Sequence, residues 1–327
     1  MHAVVAREPG GPEVLEYTEL PDPSPGPGQL LVEVAAAGVN FIDTYRRAGV
    51  YRMPFPHVVG SEGAGRVVAT GPEVAGFVPG DRVSWDAAPG SYADLALVPA
   101  ANAVRVPDGV DLTTAGALPL QGMTAHYLVN STFAVQAGQD VLLHAGAGGV
   151  GLLLTQLAVA RGGRVITTVG SEAKAALSRE AGAAEVIDYS TLRELVADLP
   201  PLVRELTGGD GVHVAYDGVG RATFDASLAS LRRRGMLVLF GGSSGQVPPV
   251  DLQRLNAGGS LYVTRPTLGH YTATRDELEW RMADLFGALT QGSLRLRIGV
   301  TLPLARAADA HRALEGRQTT GKVVLLP

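Results

Sequence analysis

The distribution of apolar and polar positions divides the chain into two kinds of pattern. Between about residues 140 and 265, short apolar runs alternate with longer segments whose apolar residues recur at helical spacing. This alternation predicts parallel strands joined by helices, the doubly wound α/β arrangement. The expected strands are residues 141–145, 164–169, 185–187, 212–216, 236–240 and 260–264. The expected helices are residues 150–161, 171–181, a stretch interrupted by Pro200 and Pro201, and residues 222–231.

The first 120 or so residues instead contain short β-like segments, such as residues 30–36, separated by proline and glycine. This pattern is typical of an all-β or barrel-like unit. After about residue 270, the pattern predicts a helix at 276–289 and short strands ending at 322–326. These strands need a partner sheet, and the N-terminal β unit can supply it. We therefore expect a discontinuous β-rich domain, residues 1–124 and 266–327, around an inserted six-stranded α/β domain, residues 125–265.

The first strand of the inserted unit leads directly into a turn with the spacing Gly-x-Gly-x-x-Gly. Gly146 would permit a tight turn, Gly148 would let the backbone approach a pyrophosphate, and Gly151 would let the next helix pack closely on the sheet. The pyrophosphate would lie at the positive N-terminal end of that helix. On its own, such a motif is a simple turn about as often as it is a dinucleotide site. The strand and helix units that follow it here favour a dinucleotide site.

The tip of the second expected strand indicates which dinucleotide binds. An NAD site would carry an acidic residue about 20 positions after the glycine turn, and none stands at this tip. Ser171 and Lys174 instead begin the next helix, where a hydroxyl, a cation and a helix N-terminus suit a 2′-phosphate. Glu172, between them, is expected to point away. The alternative is that Ser171 is only an N-cap and Lys174 an ordinary surface lysine, and it stays open. The expected cofactor is NADPH.

Composition restricts the class of protein. The 327 residues carry a net charge of −5 and a pI near 5.8, which gives no basic surface for nucleic acid. No apolar run reaches the ~20 residues that a membrane span needs, and the absence of cysteine excludes disulfides and thiolate zinc sites. The one basic run, residues 232–234, is expected to be a solvated helix end. With no signal-peptide pattern at the N-terminus, these observations predict a soluble, cytoplasmic protein.

Five segments resemble one known family. They are residues 10–15 (GGPEVL), 38–45 (GVNFIDTY), 60–65 (GSEGAG), 145–151 (AGAGGVG) and 259–266 (GSLYVTRP). In this order they resemble the NADPH:quinone oxidoreductases, the zeta-crystallin-like, zinc-independent branch of the medium-chain dehydrogenase/reductases. The resemblance implies a GroES-like β-barrel catalytic domain, a Rossmann domain, a cofactor in the cleft and a homodimer.

The resemblance also implies that no metal binds. Zinc-dependent relatives hold their catalytic metal with a cysteine, a histidine and a second cysteine, in segments that match Asn40, Ser61 and Gln121 here. Two amides and a hydroxyl are not a credible Zn²⁺ site. The histidines are scattered without a pair at helical spacing, so each is expected to be a packing or surface residue. They are His2, His57, His126, His144, His213, His270 and His311.

By similarity to the family, Asn40, Asp43, Tyr45 and Tyr51 surround the nicotinamide and substrate. A tyrosine hydroxyl has an ordinary pKa of ~10, so it is protonated at neutral pH and can donate to a quinone oxygen. Tyr45 and Tyr51 are therefore expected donors or stacking walls, and Asn40 an orienting amide that also contacts the cofactor. The alternatives are that Tyr51 is a loop aromatic over the cleft and Asp43 a helix N-cap.

The expected cofactor contacts follow from the glycine turn and from the family positions. Beside Asn40 they are Tyr127, Gly146, Gly148, Gly149, Val150, Gly151, Gly170, Ser171, Lys174, Tyr189, Val219, Phe240, Gly241, Ser243, Ser244 and Arg317.

The resemblance thus implies an NADPH-dependent reductase of quinones, acceptors that delocalise the charge of an incoming hydride and need only modest hydrogen-bond donors. A reductase of alkenals or enones is the alternative, because hydride addition to a conjugated double bond would use the same cleft. Some zeta-crystallin-like proteins bind single-stranded RNA or have a structural role in the lens. The acidic charge opposes RNA binding here.

Overall fold

The computed structural model describes all residues, Met1–Pro327. The chain forms two compact units, and it leaves the first before returning to it. Unit 1 comprises Met1–Met123 and Thr272–Pro327, and unit 2 comprises Thr124–Tyr271. The domain bounds expected from the sequence, residues 1–124 with 266–327 and residues 125–265, stay a prediction. None of the helices combines the length and the apolar character that crossing a bilayer requires.

Sixteen strands form the sheets. In chain order they are β1 (His2–Ala6), β2 (Leu15–Glu19), β3 (Gln29–Val39), β4 (His57–Val58), β5 (Glu62–Thr70), β6 (Arg82–Trp85), β7 (Leu95–Pro99), β8 (Val104–Arg105), β9 (Asp140–His144), β10 (Arg164–Val169), β11 (Glu185–Asp188), β12 (Val212–Asp217), β13 (Leu231–Leu239), β14 (Tyr262–Thr264), β15 (Ile298–Pro303) and β16 (Lys322–Leu326).

Ten α-helices connect or cover these strands. They are α1 (Phe41–Arg47), α2 (Leu112–Ala117), α3 (Pro119–Tyr127), α4 (Gly149–Ala160), α5 (Glu172–Glu180), α6 (Leu195–Leu206), α7 (Phe224–Ala229), α8 (Gln253–Ala257), α9 (Arg275–Thr290) and α10 (Ala307–Glu315).

Unit 1 contains a seven-stranded sheet, ordered β15-β16-β3-β5-β6-β8 with β7 also on β3, and a three-stranded sheet, β2-β1-β4. Strand β16 is antiparallel to β3, with Val324 opposite Gly38, so the C-terminal strands join the N-terminal β unit as their patterns predict. On the other side of β3, Glu62 of β5 lies opposite Gly38. The register therefore brings the first residues of β16 and β5 to the end of β3 where helix α1 begins.

Unit 2 contains one parallel sheet in the order β11-β10-β9-β12-β13-β14. The chain starts at the centre with β9, moves outward to β11 and then continues from β12 on the other side, which is the doubly wound nucleotide-binding order. The apolar strand residues, such as Leu142, Ile166, Ala215 and Leu237, are fully buried. The expected α/β fold class is confirmed.

Two local predictions in unit 2 are wrong. Residues 232–234 are not a helix end; they lie in β13, which begins at Leu231 and contains a register irregularity against β12. Helix α6 is also not interrupted, since it runs through Pro200 and Pro201. Each proline removes one backbone N–H donor, but Leu199, Pro200 and Val203 are buried, and their packing keeps the segment helical.

Candidate active site

Helix α1 begins directly after Asn40 and carries Asp43 in its first turn. The backbone N–H of Asn40 donates to the Asp43 carboxylate at 3.0 Å. Asn40 is thus the N-cap residue, and Asp43 is the acid three positions later that binds back to it. The interpretation of Asp43 as the N-cap is therefore wrong. The helix begins at Phe41, three positions earlier than an N-cap at Asp43 would require.

The Asp43 carboxyl is buried among hydrogen-bond donors. It is 1% exposed, and it accepts from the Ser61 hydroxyl at 2.9 Å and from the Tyr92 hydroxyl at 3.2 Å. Arg46 in turn donates to the Ser61 hydroxyl oxygen. Burial raises the pKa of Asp43 to about 6, while the hydrogen bonds from Ser61 and Asn40 and the nearby charge of Arg46 oppose this rise. Ser61 therefore connects a cation to a carboxylate.

A chain of buried groups orients Tyr92 towards Asp43. The Arg47 guanidinium lies 3.0 Å from Nδ1 of His311, and the other ring nitrogen, Nε2, lies 3.4 Å from the Tyr92 hydroxyl. Because a guanidinium can only donate, Nδ1 is the acceptor and Nε2 carries the hydrogen. Burial lowers the pKa of His311 to about 3, so the ring is neutral. The chain starts at a permanently charged group, so it positions Asp43 and cannot bring protons to it.

A second buried cluster lies where β3, β5 and β16 meet. Lys322 and Glu62 are fully buried, and the Lys322 ammonium donates to Oε2 of Glu62 and, at 2.7 Å, to Oδ1 of Asn40. The Asn40 amide nitrogen donates to the same Glu62 oxygen at 2.7 Å. The other Glu62 oxygen accepts from the Leu120 N–H at 2.7 Å. A buried ion pair needs such additional hydrogen bonds to offset the loss of hydration.

Gln121 extends this cluster. Its Nε2 donates to Oδ1 of Asn40 at 3.4 Å, and its Oε1 is buried without a hydrogen-bond partner. The Asn40 amide nitrogen has a second, longer contact of 3.4 Å with the Gly38 carbonyl. The Asn40 amide is therefore fully engaged within unit 1, as an orienting amide would be, and its contact with a cofactor stays a prediction.

The residues in the three zinc-ligand segments do not fit a zinc ion. Asn40 and Gln121 are hydrogen-bonded to each other, and Ser61 binds Asp43. Amides and a hydroxyl are poor Zn²⁺ ligands, and the Lys322 ammonium already lies against Asn40, where it would repel a second cation. No three His, Cys, Asp or Glu side chains converge elsewhere.

The two predicted tyrosines lie together. The rings of Tyr45 and Tyr51 are 6.0 Å apart and inclined by 58°. Tyr45 is on α1, two residues after Asp43, and Tyr51 is 44% exposed on the loop that follows the helix. Both interpretations of Tyr51, as a donor or stacking wall and as a loop aromatic over the cleft, stay predictions.

The glycine turn of unit 2 has a different geometry from the one expected. The residue with positive φ is Ala145, at 56°, and not Gly146. A Cβ at Gly146 would lie 2.6 Å from Cβ of Thr167, so this glycine permits close packing on β10. A Cβ at Gly151 would collide with the Ala145 carbonyl. A Cβ at Gly148 would lie 3.2 Å from the Ala145 carbonyl oxygen. Gly148 is the N-cap residue of α4, and the free N–H groups at a helix N-terminus can bind an anion.

The predicted 2′-phosphate residues stand at the start of α5. Ser171 is the N-cap, and its hydroxyl oxygen accepts from the Lys174 N–H at 3.4 Å. Glu172 is held away by an ion pair with Arg179 at 2.6 Å. A Cβ on Gly170 would lie 2.6 Å from the Tyr189 hydroxyl, so the tyrosine ring covers the tip of β10. Both interpretations of Ser171 stay open, since an N-cap hydroxyl can also bind a phosphate oxygen.

The loops after β12 and β13 are bound together. Asp217, which is fully buried, accepts hydrogen bonds from the N–H groups of Val219 and Gly220 at 2.8 and 2.9 Å. The Ser244 hydroxyl donates to the Val219 carbonyl at 2.8 Å, and the Ser243 N–H donates to the carbonyl of Gly218 at 3.3 Å. The two loops thus form a rigid edge next to the glycine turn.

The structure groups the other predicted cofactor residues unevenly. Gly149 and Val150 begin α4, and Phe240 and Gly241 pack against Gly218. Tyr127 is buried and stacks on Tyr271 with ring centres 4.3 Å apart. Arg317 lies in unit 1, exposed just after α10. The cofactor roles of all these residues stay predictions.

Sequence reasoning missed Glu62, Lys322 and Asp217. Each is a charged residue at the first or last position of a mainly apolar strand, and that position was the available signal. The partners could not be read from the sequence, because Lys322 and Asn40 are separated by 282 positions.

Comparison with known proteins shows the family to which the chain belongs. The family model described as an alcohol dehydrogenase GroES-like domain matches residues 26–108, and the one described as a zinc-binding dehydrogenase matches residues 149–286. A quinone oxidoreductase of Pseudomonas aeruginosa is 47% identical over 320 residues, 97% of each protein. The chain belongs to the quinone oxidoreductase family. This family is a branch of the medium-chain dehydrogenase/reductases, so the expected family is confirmed.

Two further similar proteins are a reductase with a different name and a solved structure that contains NADPH. A 2-haloacrylate reductase of Burkholderia sp. is 42% identical over 336 residues, 99% of this chain and 98% of that protein. The structure of a mycobacterial protein in complex with NADPH superposes with a TM-score of 0.97 at 52% identity, and both chains are covered completely.

Proposed function

We propose that this protein is a quinone reductase that uses NADPH and no metal. The observation that carries the proposal is the cluster where zinc-dependent relatives bind their metal. Here Asn40 contacts Gln121 and the buried ammonium of Lys322. The chain is also 47% identical to a quinone oxidoreductase. An acceptor that needs a Lewis acid does not suit this cluster. A quinone does, because its ring delocalises the charge that an incoming hydride brings.

NADPH is the cofactor, and it supplies a hydride when bound. The quinone takes this hydride and one proton and becomes a hydroquinone. Gly148, the N-terminus of α4, Ser171 and Lys174 are the residues that we assign to the phosphates. Their geometry fits, since Gly148 and Ser171 are the N-cap residues of α4 and α5, and the free N–H groups at a helix N-terminus can bind an anion.

The tyrosines at α1 are assigned to the acceptor. Tyr45 and Tyr51 form an aromatic pair, and a tyrosine hydroxyl can donate a hydrogen bond to a quinone oxygen. Asp43 lies two residues before Tyr45 in α1 and accepts from the Asn40 N–H, which holds the N-terminus of this helix. Its assigned role is to fix the helix that presents the tyrosines.

Turnover tests the proposal directly. Purified protein should oxidise NADPH in the presence of benzo- and naphthoquinones, followed by the loss of absorbance of the reduced nicotinamide. If no quinone in such a panel is reduced, the proposal is wrong.

A second candidate is reduction of a conjugated C=C bond, which the relationship to a 2-haloacrylate reductase favours. Turnover of 1,4-benzoquinone and 9,10-phenanthrenequinone, compared with 2-alkenals and 2-haloacrylates, would separate the two activities. A preference of more than tenfold for the alkenes would favour the second candidate.

Family resemblance also supports a cytoplasmic homodimer. Light scattering on the purified protein, which should give twice the chain mass of 33.9 kDa, tests the dimer. Fractionation of cells that express the chain tests its location.

A further inference from the structure

The Asn40 amide has no remaining hydrogen-bonding capacity. Its oxygen accepts from Lys322 and Gln121, and its nitrogen donates to Glu62 and to the Gly38 carbonyl. An amide oxygen has two lone pairs and an amide nitrogen two hydrogens. Asn40 is also only 3% exposed. It can orient a neighbour, but it has no hydrogen to give to a substrate.

The orientation of Gln121 follows from the two buried charges. An ammonium can only donate and a carboxylate can only accept, so Lys322 and Glu62 fix which end of the Asn40 amide faces each of them. The Asn40 oxygen then faces Gln121. Only the nitrogen end of Gln121 can meet an oxygen favourably, so the ion pair sets the Gln121 amide through Asn40.

Gln121 is the outermost member of this sequence of contacts. It is partly exposed, in contrast to Asn40, Glu62 and Lys322. One hydrogen of its Nε2 binds Asn40, which leaves the second hydrogen, and its Oε1 has no partner in the protein. A preorganised ligand contact requires a polar group whose orientation is fixed and whose hydrogen-bonding capacity is not fully used. The Gln121 amide meets both conditions.

We propose that Gln121 is a catalytic residue whose second Nε2 hydrogen binds the acceptor oxygen of the quinone, and that Lys322, Glu62 and Asn40 are positioning residues for it. The proposal rests on the quinone reductase function above. As the hydride reaches the quinone, negative charge grows on this oxygen and the hydrogen bond strengthens. Gln121 transfers no proton. The proton that the quinone takes up in addition to the hydride comes from solvent.

Two substitutions test the contact. Gln121→Leu removes the donor, and Gln121→Glu keeps the shape but places a negative charge beside the developing oxyanion. Both should lower kcat/KM for quinones by about 10-fold or more, while KM for NADPH stays within about twofold. The matched control is Gln136→Leu, an exposed glutamine of unit 2 outside the proposed site, which should behave as wild type.

Two further variants test the positioning. Lys322→Met should lower kcat/KM for quinones without weakening NADPH binding measured by fluorescence titration, and Lys322→Arg, which keeps the cation, should restore most of the loss. If Lys322→Met does not fold, the Gln121 variants still decide the matter.

Failure of this inference is distinct from failure of the proposed function. If wild type reduces quinones and Gln121→Leu matches Gln136→Leu, only the inference is overturned. If wild type reduces no quinone, both are overturned.

Discussion

The buried ion pair between Lys322 and Glu62 gives the sharpest test of the structure. Lys322→Met would leave the Glu62 carboxylate with two N–H donors, from Asn40 and Leu120, and no cation. Both side chains are fully buried. Removing one partner of such a pair costs about 3–5 kcal/mol, because the remaining charge is buried without compensation.

Removing both charges should cost less than removing one. In Glu62→Gln with Lys322→Met, the new amide can still accept from the Leu120 N–H, and the methionine fills most of the lysine volume. Replacement of a whole buried pair by neutral groups of similar size is often close to neutral. We therefore expect the double variant to unfold at a higher urea concentration than Lys322→Met alone.

Tryptophan fluorescence suits the assay. The chain has two tryptophans, Trp85 and Trp280, and both belong to unit 1. Trp85 lies opposite Gly63, the residue next to Glu62. Urea unfolding followed by this signal reports the unit that contains the pair. A cost below about 1 kcal/mol for Lys322→Met, or a double variant as unstable as the sum of the single variants, would refute the reasoning.

Three other predictions concern separate parts of the chain. Lys174→Ala should raise KM for NADPH much more than KM for NADH, and equal effects in steady-state kinetics would contradict a 2′-phosphate contact. Gly151→Ala should lower the Tm, because its Cβ would meet the Ala145 carbonyl, whereas Gly148→Ala should mainly raise the Kd for NADPH; calorimetry and titration separate the two, and the reverse result would be inconsistent with the assigned roles. Burial, with a contribution from the Glu62 charge, raises the pKa of Asp86 to about 6, so the stability that its protonated form contributes is lost as pH rises from about 4 to about 6. Asp86→Asn, which cannot ionise, should therefore be about 2–3 kcal/mol more stable than wild type in urea at pH 8 and similar to it at pH 4, and a constant difference across this range would rule the explanation out.

The parts of the fold that follow from local patterns are the parts that sequence predicts well. Strand β10 and strand β16 have the expected bounds, because an apolar run between turn residues determines a buried strand locally. Residues 232–234 show the limit. Three successive arginines do not favour a strand. They lie in the irregular stretch of β13 between Leu231 and Met236, which both pair with β12, and Arg234 has a positive φ of 60°.

The candidate site divides in the same way. The glycine turn could be located from its spacing, but the spacing does not indicate that the positive φ falls on Ala145, which is not a glycine. Glu62 could be noticed as a charge beside apolar residues. Its partner could not, because β16 reaches β3 only through the register of a sheet assembled from distant segments.

The pairing of β16 with β3 also affects the order in which parts of the chain fold. All of unit 2 lies between these strands in the sequence, so the contact between Lys322 and Asn40 closes a loop of 282 positions. Contacts this distant form late, since loop closure costs conformational entropy and contiguous segments fold first. Unit 2 can complete its sheet during synthesis while the cluster around Asn40 is still without its cation. With the roles proposed above, the residues assigned to the nucleotide are in place before those assigned to the acceptor are complete.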